Sequence, residues 1–288
     1  MERLPVPGDW RDLLLPRDER RSMLTLGVFD GVHRGHRALL ATAASRARAA
    51  GLRRVHLGFD PHPDELLRGR APSRLLDALE LDARLAAAGV DLALDLPFTP
   101  ALRDTAWDAF LATIAAETRA AAITLSPESA FGLRREGTLE RVRAWGRRTG
   151  LAVHGVHEAR YGGLPIRSTR IRASISGGDL AAATAMLGRP FAVVGIRAGG
   201  SVVAGAAGDP WLLPPSGSYR VRVGAPAGVG GEPPALGRLA REAIVDAARG
   251  QILFADPERL LGALPEGGRV RVALLGPRVD GSRGDLVP

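Results

Sequence analysis

The 288-residue chain has no cysteine, no lysine and no asparagine, and only 5% of it is aromatic. Without cysteine there is neither a disulfide framework nor a thiolate metal site. Without lysine a GK[ST] phosphate loop is excluded, so phosphate contacts fall to arginine, histidine, hydroxyls or backbone amides. No apolar run reaches membrane-spanning length, because Arg, Asp or Glu interrupts even the alanine-rich segments. The opening MERLPVPGDWRDLLLPRDER is too charged and proline-broken for a secretory signal. These absences predict a cytoplasmic protein without a membrane partner. The 39 basic residues, all arginine, exceed the 31 acidic ones by eight. They are scattered among acids with no basic helix face, so no nucleic-acid partner is expected. Hydrophobic residues make up 45%, enough to core one or two domains.

Apolar runs alternate with amphipathic segments over the first two thirds. SMLTLGVF (22–29), RRVHLGF (53–59), VDLALDLPF (90–98), AAITLS (121–126) and LAVHGVHEARY (151–161) read as strands. Between them GHRALLATAASRARAAG (35–51), LLDALELDARLAAAG (75–89), TAWDAFLATIAAE (105–117) and GTLERVRAWGRRTG (137–150) read as helices. The rhythm predicts an α/β fold, a Rossmann-like parallel sheet covered by helices, with ligands at the carboxyl ends of its strands. Beyond Phe191, short alternating runs between Gly/Pro turns predict a small antiparallel β-barrel, interrupted by a helix at LGRLAREAIVDAARG (236–250). The expected division is an N-terminal extension (1–21), an α/β domain (22–189) and a barrel domain (190–288).

Three clusters could carry chemistry. GVFDGVHRGH, with Gly27, Phe29, Asp30, Gly31, His33, Gly35 and His36, follows the first strand and opens a helix. Its free amides and dipole favour an anion, and if the helix begins at His33, His33 and His36, three apart, share one of its faces. Gly35 lets a phosphate or a base approach the backbone. IRSTRIR (Ile166–Arg172) offers Ser168 and Thr169 as N-caps and Arg172 as a planar fork for phosphate. FDPHP (Phe59–Pro63) is a proline-fixed loop, with His62 between two prolines, able to pack on a planar ring. Each cluster also has a plain structural reading: a frayed helix start, a capped helix and a turn. His56, His154 and His157 lie in strand-like runs and read as structural. No zinc ligand set and no G-x-S-x-G elbow occurs.

Taken together and in order, GVFDGVHRGH, FDPHP, the Phe-Gly of SAFGLRREG, RSTRIR and GDLAAATAMLGRPF resemble the bacterial bifunctional riboflavin kinase/FMN adenylyltransferase family, whose first module belongs to the HxGH nucleotidylyltransferases. The likeness covers roughly residues 22–191. It implies that an FMN phosphate oxygen attacks the α-phosphorus of ATP and that pyrophosphate leaves, with Mg²⁺ delivered alongside ATP. It further implies that His33 and His36 hold the ATP phosphates, and that Ser168, Thr169 and Arg172 bind the β- and γ-phosphates. Gly27, Phe29 and Gly31 would shape the adenosine pocket, and Phe59, His62 and Pro63 the flavin side.

Departures from the family pattern accompany the likeness. LSPESAFG has Ser126, Glu128, Ser129 and Ala130 where the family carries a glycine, an Asn or Asp, and an aromatic-arginine pair; Glu128 still offers an acceptor to the flavin. Arg167 replaces a serine. The barrel segment lacks the Thr-Asn metal-binding pair of the kinase, so riboflavin kinase activity is expected to be lost. The leading expectation is an FMN adenylyltransferase making FAD. A nucleotidylyltransferase for another phosphorylated acceptor, or a non-catalytic nucleotide- or flavin-binding regulator, are the alternatives.

Overall fold

A computed structural model describes residues 1–6, 8–11, 19–204, 211–228, 237, 240–262 and 264–277. In chain order its elements are β1 (Glu2–Pro5), β2 (Ser22–Leu26), α1 (Arg34–Ala50), β3 (Arg53–Asp60), α2 (Pro63–Arg68), α3 (Ala78–Ala87), β4 (Leu92–Pro97), α4 (Pro100–Arg103), α5 (Trp107–Glu117), β5 (Ala120–Leu125), β6 (Ala130–Phe131), β7 (Gly137–Thr138), α6 (Leu139–Thr149), β8 (Ala152–Gly155), β9 (Arg160–Tyr161) and β10 (Leu164–Pro165). There follow α7 (Ser168–Ser176), α8 (Leu180–Leu187), β11 (Phe191–Ala198), β12 (Ser201–Ala204), β13 (Gly217–Gly224), β14 (Arg241–Asp246), β15 (Gln251–Phe254), α9 (Pro257–Leu261) and β16 (Arg269–Pro277).

The chain divides into two compact units, Met1–Pro72 with Leu81–Ile166, and Ser73–Glu80 with Arg167–Pro288. The first is built on a six-stranded sheet, ordered β1-β4-β3-β2-β5-β8, with every pair parallel. Its strands are apolar runs because both faces are covered: all five residues of β2 are buried. Leu24, Leu57, Leu94, Ile123 and Leu125 form the centre of the core with Ile114 and Leu111 from α5. Each such side chain contributes about 1.5–3 kcal/mol on burial. Glu2–Pro5, within the stretch read as an extension, pairs with β4 at the sheet's edge. The order reverses between β2 and β5, from which the chain runs outward in both directions, so the switch point lies at their carboxyl ends.

The second unit contains a closed antiparallel barrel, β11-β12-β15-β14-β13-β16. Alternating Val193, Val202, Val221, Val245, Ile252, Val270 and Val272 are buried in it. The helix expected at 236–250 is not found where the chain is described: Arg241–Asp246 is strand β14, while 236, 238 and 239 lie outside the described residues. Ala243 and Val245 point inward and Glu242 and Ile244 outward, and backbone pairing with β13 and β15 closes the barrel. That pairing outweighs the alanine-rich, helix-like spacing of the segment. No helix among the described residues is long and apolar enough to cross a membrane.

Candidate active site

The GVFDGVHRGH segment runs from the carboxyl end of β2 into α1, at the switch point. Gly27 and Gly31 take positive φ values of 145° and 82°, a backbone open to glycine. Between Gly31 and the helix, buried Val32 has φ 36°, a strained value for a β-branched residue. His33 is the N-cap of α1: its Nδ1 accepts the His36 backbone N–H at 3.4 Å. An Nδ1 that accepts in this way leaves the proton of a neutral His33 on Nε2.

The two imidazoles stack, with ring centroids 3.6 Å apart and planes 20° from parallel. Gly35 makes that possible, since a Cβ there would lie 3.1 Å from His33 Cε1 and 3.2 Å from Nδ1. Phe29 lies parallel to His36 at 4.5 Å, and His56 from β3 lies against Phe29 at 4.3 Å, tilted by 39°. Successive ring contacts therefore link His33, His36, Phe29 and His56. Burial, then the neighbouring His33 and His56, hold the His36 pKa well below the usual imidazole value. Burial and the cation of Arg3 pull His56 down to about 3. Both are neutral at pH 7. His36 Nδ1 is buried and finds no hydrogen-bond partner among the described residues.

At the neighbouring strand end, after β5, lies the segment from Ser126 to Phe131. Ser129 Oγ accepts the Ser126 backbone N–H at 3.0 Å, and the two hydroxyls are 3.1 Å apart. Half-buried Glu128 sits in this turn. The following Phe131 packs edge-on to Phe110 at 5.9 Å, and Gly132, at φ 71°, lies against Trp107 where no Cβ fits. Phe59 and His62 have structural contacts of their own. Phe59 meets Phe98 edge-on at 5.6 Å, and His62 Nδ1 caps α2 by accepting the Asp64 N–H at 3.1 Å. Pro63 is the first residue of that helix.

In the second unit, Ser168 and Thr169 are not the caps of α7. Arg167, extended at φ −135°, is the N-cap and makes no side-chain cap bond; Ser168 and Thr169 are the first helical residues. Burial of Ile171 and Ile175 sets this helical phase. The hydroxyls thus flank the amides of the first turn, which lack intrahelical acceptors. Arg172 Nε donates to the Ser73 carbonyl oxygen at 2.8 Å, so this side chain braces the 73–80 segment.

Local sequence gave no cue to the role of His56. It reaches Phe29 because the parallel register sets it opposite Thr25, whose Oγ1 lies 3.2 Å from His56 Nδ1.

A parallel sheet with paired imidazoles and a helix N-terminus at its switch point defines the class: an α/β protein of the kind that binds ligands where the strand order reverses. The family described as FAD synthetase matches residues 15–170, more than half of the chain, and the chain belongs to that family. It is 33% identical over 175 residues to the bifunctional riboflavin kinase/FMN adenylyltransferase of Escherichia coli (strain K12), covering 60% of this chain and 56% of that one. The matched region thus spans little more than half of that relative. An FAD synthetase of Listeria monocytogenes is 29% identical over 210 residues, covering 72% of this chain and 84% of its own. A crystal structure of a macrolide-efflux protein from Streptococcus pneumoniae shares the fold, with a TM-score of 0.78, 24% identity, and coverage of 96% of this chain and 100% of that one.

Proposed function

We propose that the protein is an FMN adenylyltransferase, transferring AMP from ATP to FMN to give FAD and pyrophosphate. The observation that carries this reading is the stacked His33–His36 pair at the start of α1, on the switch point of the sheet. In the reaction an FMN phosphate oxygen forms a bond to the α-phosphorus while the bond to the β-phosphate oxygen breaks. Negative charge grows on the departing pyrophosphate, and no covalent nucleophile on the protein is needed.

The residues suit that demand. His33, with its proton on Nε2, and neutral His36 each donate an N–H toward phosphate oxygen, and the first amides of α1 add their dipole. Gly27, Phe29, Asp30 and Gly31 shape the space for adenosine, and Gly35 keeps the backbone open. Ser168, Thr169 and Arg172 are assigned to the β- and γ-phosphates. Phe59, His62, Pro63 and Glu128 are assigned to the flavin side. Among the described residues no group of three or more His, Asp or Glu side chains could hold a metal ion. Mg²⁺ is assigned to arrive with ATP. The barrel lacks the kinase signature in its sequence, and riboflavin phosphorylation is assigned as lost.

The mutual Ser126–Ser129 hydroxyl contact favours one second reading. A turn that satisfies its own hydroxyls offers the flavin fewer donors, which suits another phosphorylated acceptor. The test is a product assay with purified protein, Mg-ATP and either FMN or riboflavin, resolved by chromatography. FAD and pyrophosphate from FMN, with nothing from riboflavin, is the expected result. FMN formed from riboflavin overturns the loss of the kinase. Saturable ATP binding without FAD moves the assignment to another acceptor.

A further inference from the structure

His56 is assigned no part in the transfer step, yet its ring ends the series of contacts that begins with His33. Its imidazole lies 4.3 Å from Phe29 at a tilt of 39°, and Phe29 in turn lies 13° from parallel with His36. The polar edge of His56 is bordered on two sides. Thr25 Oγ1, from its register partner on β2, is 3.2 Å from Nδ1. A Cβ added at Gly58 would lie 3.0 Å from Asp95 Oδ1 and 3.8 Å from His56 Nε2, so ring edge and carboxylate border the same small space. Arg3 Nη1 holds both Asp95 oxygens, at 2.7 and 2.6 Å. An imidazole anchored in this way cannot swing aside without giving up a buried hydrogen bond. Phe29, in contact with both His36 and His56, is then held against His36.

We propose that His56 is a positioning residue: its ring, packed on Phe29, fixes the plane of the His36 imidazole in register with His33. The inference deepens the adenylyl-transfer reading, on which its kinetic test rests. The ring contact on Phe29 transmits the constraint, and the buried position holds a ring there even without the Thr25 hydrogen bond, so phenylalanine substitutes for His56 where alanine and glutamine do not.

The test compares the full-length wild type with His56→Ala, His56→Gln and His56→Phe. Two readouts are taken: kcat and KM for ATP with FMN, and the His36 imidazole resonances in histidine-labelled protein. For the alanine and glutamine variants kcat falls about 10-fold while KM for ATP stays within about 2-fold, since only alignment is lost. Their His36 resonances shift. The phenylalanine variant recovers kcat to within about 3-fold of wild type. A folded His56→Ala or His56→Gln protein with wild-type His36 resonances overturns the proposal, as does a folded His56→Phe protein no faster than the alanine variant. Should those variants fail to fold, wild-type NOE contacts from Phe29 to both imidazoles decide, and their absence overturns it. A wild type inactive toward FMN defeats the adenylyl-transfer reading, while the resonance test still judges the positioning role.

Discussion

Gly35 is where helix propensity and site geometry conflict. Alanine inside a helix is favoured over glycine by about 1 kcal/mol, but a Cβ here would press on the His33 ring at 3.1 Å. Gly35→Ala is therefore expected to leave the melting temperature nearly unchanged while lowering kcat about 10-fold or more, a split that calorimetry and the product assay together reveal. His56 carries a second residue-scale expectation. Its pKa is about 3 in the folded protein, against roughly 6.5 in the unfolded chain. The folded state thus binds fewer protons between these values, and its stability rises with pH across that window. The contribution is whole above pH 6.5 and is lost as the pH falls toward 3, at about 1.4 kcal/mol per pH unit. Urea unfolding of wild type and His56→Phe at pH 6 and pH 4.5 should show the variant lacking that part of the slope. Equal slopes would refute it. His33, His36 and Gly35 were legible because a ten-residue segment gathers them; His56 was not, since its nearness depends on parallel pairing with Thr25, 31 residues back along the chain.

The elements of the parallel sheet were largely legible, because buried strands such as SMLTL are unbroken apolar runs and α1 ends on a left-handed glycine, Gly51 at φ 64°. β1 was not: ERLP has neither alternation nor a continuous apolar run, and it is a strand through its pairing with β4. Nor was the start of α7, where two good capping residues, Ser168 and Thr169, lie just inside the helix. In β14, Ala-rich spacing suits a helix face and an alternating strand alike, and only ladder partners decide. The strand makes an asymmetric forecast. Val245→Asp places a carboxylate in the barrel and should cost more than about 3 kcal/mol. Ile244→Asp, one residue away and 56% exposed, should cost less than about 1 kcal/mol. Equal destabilisation in urea titrations would contradict the strand.

At the scale of the molecule, the second unit depends on eight residues drawn from far up the chain. Glu80 forms a paired contact with Arg271 of β16, at 3.0 Å through each oxygen, and both side chains are buried. Asp77 takes Arg269 at 2.6 Å, and the Ser73 carbonyl takes Arg172. A buried pair is weak evidence of net stability, but removing one partner leaves a charge stranded. Glu80→Ala should lower stability by roughly 3–5 kcal/mol, and Glu80→Leu combined with Arg271→Met should restore most of it, as read by calorimetry. A Glu80→Ala protein as stable as wild type would contradict this account. The same excursion matters to anyone who would divide the gene. A cut after Ile166 leaves a fragment whose Arg271 lacks Glu80, which stays with the other piece. The unit is continuous in space but has no continuous coding segment of its own.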